Sequence, residues 1–376
     1  HPLCAAHLHT PPLALAAAAD LAASALNPSM DSWDQAPAAS AIEGRVTAAL
    51  AAEVYPDAPH PDALVTTGGT ESNQLALLLA RERLGPAVRT VVGANAHHSF
   101  QRAAWLLGLP EPSVVPTPRG TLDPAALREA LTTLTGPILV AATAGTTDEG
   151  LIDPLPALAD LCEERHADLH VDAAYGGPLL FSRRHRSLLD GLARARTVTV
   201  DLHKLGWQPA AAGLLAVRDP ADLAALGHTA AYLNADDDTE AGLPDLLGRS
   251  LRTTRRPDVL KSAVTLRALG RTGLGELVDT CMDRAQELAD LVEKAPGLDL
   301  QARPTLTTVL FRPNGPGVTD RTVAAVRRTL LTEGRAVLGR AEADGRLWLK
   351  ATLLNPHATP GDLAQLITLV EGSAHR

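Results

Sequence analysis

The sequence predicts an α/β protein with a mostly parallel central sheet, covered by helices on both faces, and a smaller C-terminal α+β unit. Three observations predict it. Short apolar runs alternate with longer helical patterns from residue 63 to about 217, the signature of strands joined by crossover helices. Residues able to do chemistry cluster just after those runs, where ligands sit in such sheets. After Gly297 the pattern changes to widely spaced strands and two helices.

Strands are expected at 63–67, 89–93, 113–116, 137–142, 169–171, 197–200 and 213–217, with helices at 72–84, 124–134 and 155–165 between them. A helical pattern fills 256–294. Strand-like 307–311 and 347–354 then flank a helical 320–333, and a last helix follows Thr359. The stretch 234–244 is acidic, carries Gly242 and Pro244 and has no apolar period, so it reads as a mobile loop. The division expected is an N-terminal segment (1–60), a large ligand-binding domain (61–255), and a connecting helix with a small C-terminal domain (256–376).

At 376 residues the chain can bury a large core. Its net charge is −9, with no block of Lys or Arg, which argues against nucleic acid or an anionic membrane as the main partner. Cys4, Cys162 and Cys281 form neither a disulfide framework nor a metal-binding pattern, so a cytoplasmic protein without a metal is expected. The Ala-rich opening carries three histidines and three prolines before Ala19 and reads as neither a signal peptide nor a spanning helix. The chain opens at His1 without a Met, so sequence upstream of it is expected.

Four constellations carry chemistry. Thr66-Thr67-Gly68-Gly69-Thr70-Glu71-Ser72-Asn73 lies between a strand and a helix. Glycines permit the tight turn and the helix start offers free N–H groups to a phosphate, although such turns are commonly only turns. Ala96-His97-His98-Ser99 opens a helix, and an imidazole there can stack on a planar cofactor or simply be solvated. Asp172, in His170-Val171-Asp172-Ala173-Ala174-Tyr175-Gly176-Gly177, is a carboxylate after a buried strand. It caps a helix or pairs with a cation, and a protonated pyridine nitrogen is such a cation. Lys204, in Asp201-Leu202-His203-Lys204, follows an apolar strand. It either snorkels to the surface or is a desolvated amine suited to a Schiff base.

Each signal alone is modest, but their order is specific. A phosphate cradle, a ring-stacking His, a pyridinium partner and a reactive Lys, all at strand ends, fit a pyridoxal 5′-phosphate site.

These motifs, with Ala142-Thr143-Ala144-Gly145-Thr146-Thr147, resemble the group II pyridoxal-phosphate-dependent decarboxylases over essentially the whole chain. The resemblance implies the aminotransferase-like fold (fold type I) and a homodimer with active sites at the subunit interface. By it, His97 stacks on the ring, Asp172 pairs with its nitrogen and Lys204 is the Schiff-base lysine. Gly69, Thr70 and His203 lie near the phosphate, and Thr146 and Ala174 beside the ring. The family usually has an N-terminal helical arm, and this chain starts just after it. The expectation is either that the arm was removed or is disordered, or that this is a compact member. Within the family the look is that of the diaminobutyrate and lysine decarboxylases, from the stretches 6–11, 27–35, 232–234, 240–244 and 253–256. The Leu205-Gly206-Trp207 that follows Lys204 departs from the aromatic-rich form of the lysine enzymes.

The implied activity is decarboxylation of an L-amino acid, with a diamino acid (2,4-diaminobutyrate, ornithine or lysine) as first choice of substrate. Tyr232, on the loop, is the implied proton donor to Cα; a Phe there would favour oxidative chemistry. Asp31, two residues before Trp33, stands where aromatic-acid decarboxylases tend to carry an aromatic residue. It either holds a distal ammonium or is an ordinary solvated carboxylate. Thr10 is the other candidate substrate contact. The alternatives are a decarboxylase of neutral or aromatic amino acids, an aldehyde-forming enzyme, and a catalytically silent dimeric scaffold.

Overall fold

The computed structural model describes residues 1–228, 230 and 232–374. Its central sheet contains β1 (Asp62–Thr66), β2 (Arg89–Gly93), β3 (Ser113–Val115), β4 (Ile138–Thr143), β5 (Asp168–Ala173), β6 (Thr197–Asp201) and β7 (Gly213–Val217). They lie in the order β1-β7-β6-β5-β4-β2-β3. Strands β6, β5, β4, β2 and β3 pair in parallel, and β7 runs antiparallel between β1 and β6. Every residue of β4, β6 and β7 is buried, as expected of strands covered on both faces.

The covering helices are α1 (Ala14–Leu26), α2 (Pro37–Val54), α3 (Gly69–Leu84), α4 (Ser99–Leu107), α5 (Pro124–Thr133) and α6 (Leu155–Glu164). Helix α5 starts where the sequence says it should. Pro124 occupies its first turn, and the Asp123 carboxylate accepts from the N–H groups of Ala125 and Ala126. Helix α1 was not among the expected elements. Its buried face is Ala16, Ala19 and Ala23, small residues at helical spacing that let it approach the long helix described next.

Helix α8 (Val259–Lys294) spans the expected 256–294 pattern but is interrupted at Gly270, whose φ of 61° is non-helical. Beyond that kink it serves two cores. Leu274, Val278, Cys281 and Met282 pack into the core around the central sheet. Ala285, Leu288, Ala289 and Val292 pack into a second core with α9 (Asp320–Thr332) and α10 (Pro360–Ala374). That core also covers an antiparallel sheet, β10-β11-β9-β8, formed by β8 (Leu298–Leu300), β9 (Thr308–Pro313), β10 (Gly339–Ala343) and β11 (Arg346–Thr352).

The first residues of the chain join this C-terminal unit. Leu3 and Ala5 are part of its core, and Ala5 bonds through N–H to Val337 and through its carbonyl to the Thr352 N–H. The acidic stretch expected to be an irregular loop contains an exposed helical turn, α7 (Asp236–Glu240). Asp236, Asp237 and Asp238 sit in its first turn, where the helix dipole favours negative charge. Among the described residues no helix is long and apolar enough to cross a membrane.

Candidate active site

The carboxyl ends of β1, β4, β5 and β6 open onto one cavity of about 280 Å³. Gly69, Thr70, His97, Asp172, Ala174, His203 and Lys204 all line it. The decisive pair, Lys204 and Asp172, therefore faces the same space from adjacent strand ends. Thr146 does not line it: its hydroxyl accepts from the Leu151 N–H at 3.0 Å and the residue borders a neighbouring cavity, while Thr147 lines both. Tyr232 is 82% exposed and is not part of the lining, nor are Asp31 and Thr10. Asp31 instead accepts hydrogen bonds from Ser29 and Thr254.

One end of the cavity is shaped by backbone geometry. Gly68 holds φ at 150°, and a Cβ there would meet the His203 ring at 3.0 Å. A Cβ on Gly69 would meet Ala174 at 3.1 Å. Helix α3 starts without a side-chain cap, which leaves its first N–H groups for an anion.

At the other end Asp172 accepts from Asn73 Nδ2 at 2.7 Å and from its own turn, Ala174 N–H, at 3.1 Å. His97 is half-buried, and its Nδ1 accepts from the Ser99 N–H at 3.3 Å. Burial pushes its imidazole down, with Asp172 opposing the shift. Beneath the cavity, buried Asp153 accepts from Leu122 N–H, Thr143 N–H and Asn95, so it fixes the end of β4. Burial raises its carboxyl despite these three donors.

Lys204 is only partly exposed, its side chain at 22%, and its amine is held by a buried acid. Its Nζ lies 3.0 Å from Asp201 Oδ2, and the Asp201 side chain is only 2% exposed. Sequence reasoning gave Asp201 no role, although an acid three residues before a strand-end lysine was there to be noticed. It also passed over Asn73 and His170 as contributors.

The sequence model described as the pyridoxal-dependent decarboxylase conserved domain matches residues 1–314. The chain belongs to this family. This decarboxylase is 42% identical to an L-2,4-diaminobutyrate decarboxylase of Rhizobium meliloti (strain 1021), over all of the chain and 78% of the relative. A second enzyme of that name, from Acinetobacter baumannii, is 34% identical over all of the chain and 80% of the relative. Among solved structures, the glutamate decarboxylase domain of diaminobutyrate-pyruvate transaminase and L-2,4-diaminobutyrate decarboxylase from Vibrio parahaemolyticus aligns with a TM-score of 0.87 at 34% identity. That match covers the whole of this chain and 81% of the other. Mouse CSAD aligns with a TM-score of 0.90 at 27% identity, over the whole chain and 84% of the other.

The architecture of the decarboxylase is accordingly that of fold type I, and its cofactor is pyridoxal 5′-phosphate. The cavity fits that group. Glycine backbones leave the cradle open where side chains would fill it. The buried Asp201 Oδ1 and Thr143 Oγ1, both on the lining, have no hydrogen-bond partner among the described residues. An amine and a carboxylate then stand ready in the same cavity.

Proposed function

We propose that this decarboxylase acts on a short diamino acid, L-2,4-diaminobutyrate before ornithine or lysine, releasing the diamine and carbon dioxide. The observation that carries the reading is the 42% identity, over the entire chain, to an enzyme named for that substrate. A second observation favours a cationic substrate. The cavity of about 570 Å³ that shares His97 and Thr147 with the cofactor site is bordered by Asp148, Glu149, Glu342 and Asp344. Arg119 and His98 also line it; Arg119 is paired with Asp123, and Asp148 is paired with Lys350 at 3.1 Å. That leaves Glu149, Glu342 and Asp344 to favour a cation. Burial, with the charges of Asp344 and Asp148, pushes the Glu149 carboxyl up.

In this reading Lys204 holds the cofactor covalently, and the N–H groups of Gly69 and Thr70, with His203, hold its phosphate. Ala174 and His97 pack against the ring. Asp172 keeps the ring nitrogen protonated, and Asn73 and Ala174 keep Asp172 in place. The bound cofactor supplies an electron sink for the pair left when the bond from Cα to the carboxylate breaks. Tyr232 returns a proton to Cα. Its exposure means that this role requires either closure of the 232–244 stretch or supply from a second copy of the chain. Asp31 and Thr10 contribute to the substrate pocket under the same condition, which is why a homodimer is part of the proposal. A cytoplasmic setting is in keeping with three unpaired cysteines.

The test is a panel of L-amino acids scored for carbon dioxide and amine. L-2,4-diaminobutyrate should give 1,3-diaminopropane at the highest kcat/KM. Faster turnover of an acidic or aromatic amino acid would overturn the substrate assignment while leaving the reaction class standing.

A further inference from the structure

Behind Asp172 lies a chain of buried polar groups drawn from four elements, α3, α4, β5 and β6. Asn73 on α3 places Nδ2 2.7 Å from Asp172 Oδ2 and 2.9 Å from Ser99 Oγ. Its Oδ1 accepts from Thr199 Oγ1 at 2.9 Å and faces His170 Nε2 at 3.0 Å. His170 Nδ1 in turn faces Thr197 Oγ1 at 2.8 Å. His170, Asn73 and Thr199 are fully buried, and the edge of the Phe100 ring closes the imidazole off, with centroids 5.8 Å apart.

The proton positions in this chain follow from its end. An ionised carboxylate only accepts, so the amide nitrogen of Asn73 must face Asp172. The amide oxygen then faces His170, which must carry its proton on Nε2. Nδ1 is left bare, and the Thr197 hydroxyl donates to it. The reverse tautomer would set a lone pair against Asn73 Oδ1. Flipping the amide to relieve that clash would turn its oxygen onto the Asp172 carboxylate.

We propose that His170 and Asn73 are positioning residues that fix how Asp172 presents its carboxylate to the ring nitrogen of the cofactor. The inference rests on the role given to Asp172 above and is independent of the substrate. Burial holds the imidazole down to about 4, so His170 takes no second proton near neutrality and the sense of the chain is kept.

Two measurements test this. In the apoprotein, ¹⁵N NMR of the His170 ring should show Nε2 protonated and Nδ1 bare, unchanged from about pH 6 to 8. The opposite tautomer would overturn the proposal with no variant needed. The second is titration of cofactor into His170→Phe, His170→Gln and Asp172→Asn, following the visible band. His170→Phe should weaken cofactor binding on the order of tenfold, as loss of an outer partner does at other ligand sites. It should also move the pH at which the band changes. His170→Gln, whose amide can still donate to Asn73, should stay within about twofold of the parent. A folded His170→Phe with parental affinity and an unchanged band would sink the relay. Parental binding by Asp172→Asn would instead show that the role of Asp172 itself is wrong.

Discussion

Lys204 Nζ lies 3.0 Å from Asp201 Oδ2, and the carboxylate has almost no access to water. Removing the amine strands a buried carboxylate whose other near neighbour is the His203 imidazole, 3.6 Å away. Lys204→Ala should therefore lose the visible band and all carbon dioxide release. Its apoprotein should also be less stable by about 2 kcal/mol, a figure discounted because the Lys204 side chain is 22% exposed. Adding Asp201→Asn to that variant should recover stability without recovering activity. Denaturant unfolding of the three apoproteins checks this, and an unaltered midpoint in Lys204→Ala would show that the pair contributes nothing to folding.

Tyr232 is the implied acid for Cα, yet it is exposed in the structure. Tyr232→Phe removes the proton and keeps the ring, so amine formation should fall by about 100-fold, the usual scale of a lost general acid. In aerated buffer a carbonyl product should take its place, detectable with an aldehyde reagent. Undiminished amine yield would assign the proton to another group.

Asp31 accepts from Thr254 Oγ1 at 3.1 Å, which links the 27–35 stretch to the segment before α8. If its carboxylate meets the distal ammonium, Asp31→Asn should cut kcat/KM for L-2,4-diaminobutyrate about tenfold relative to L-2-aminobutyrate, the cost of a charge-assisted hydrogen bond. Steady-state kinetics on the two substrates decide it, because an unchanged ratio places the ammonium elsewhere.

The same segment is anchored by a buried ion pair, Arg255 with Glu43 on α2, at 2.6 and 2.7 Å in a two-pronged contact. Their side chains are 2% and 5% exposed. The Arg255 carbonyl also accepts from Met30 N–H at 2.8 Å, next to Asp31. Glu43→Ala should destabilise the fold by about 3–5 kcal/mol, because it leaves a guanidinium buried without its partner. A loss below about 1 kcal/mol in denaturant unfolding would mean that water reaches the arginine.

The parts of the site that could be read in the sequence are those placed by local pattern. Lys204, Asp172 and His97 each follow a recognisable apolar strand, and the parallel topology sends all three ends to one side of the sheet. Asn73 and His170 are 97 residues apart, and their bond exists only because α3 packs across β5 and β6. No spacing rule announces such a contact. Among the elements, β10 escaped notice because its sequence, Gly339-Arg340-Ala341-Glu342-Ala343, lacks β-branched residues. Its alternation of buried and exposed positions is carried by Gly and Ala on the inner face. The break in α8 falls at Gly270, which takes φ of 61°, with Gly273 and Gly275 close behind. That cluster of glycines was the signal in the sequence, and it was passed over because the flanking pattern stays helical.

His170 gives the apoprotein a defined acid sensitivity. Burial lowers its imidazole from the ordinary 6.5 to about 4. Between those values the unfolded chain binds a proton that the folded chain does not, so stability is fully present above the higher value and is lost as pH falls toward the lower one. The span is worth roughly 3 kcal/mol. His170→Gln cannot titrate, so its unfolding free energy should fall less steeply over that window, and the difference between parent and variant should shift in the variant's favour by that amount from pH 7 to 4. Parallel pH profiles for the two proteins would show that the buried imidazole accepts its proton as readily folded as unfolded.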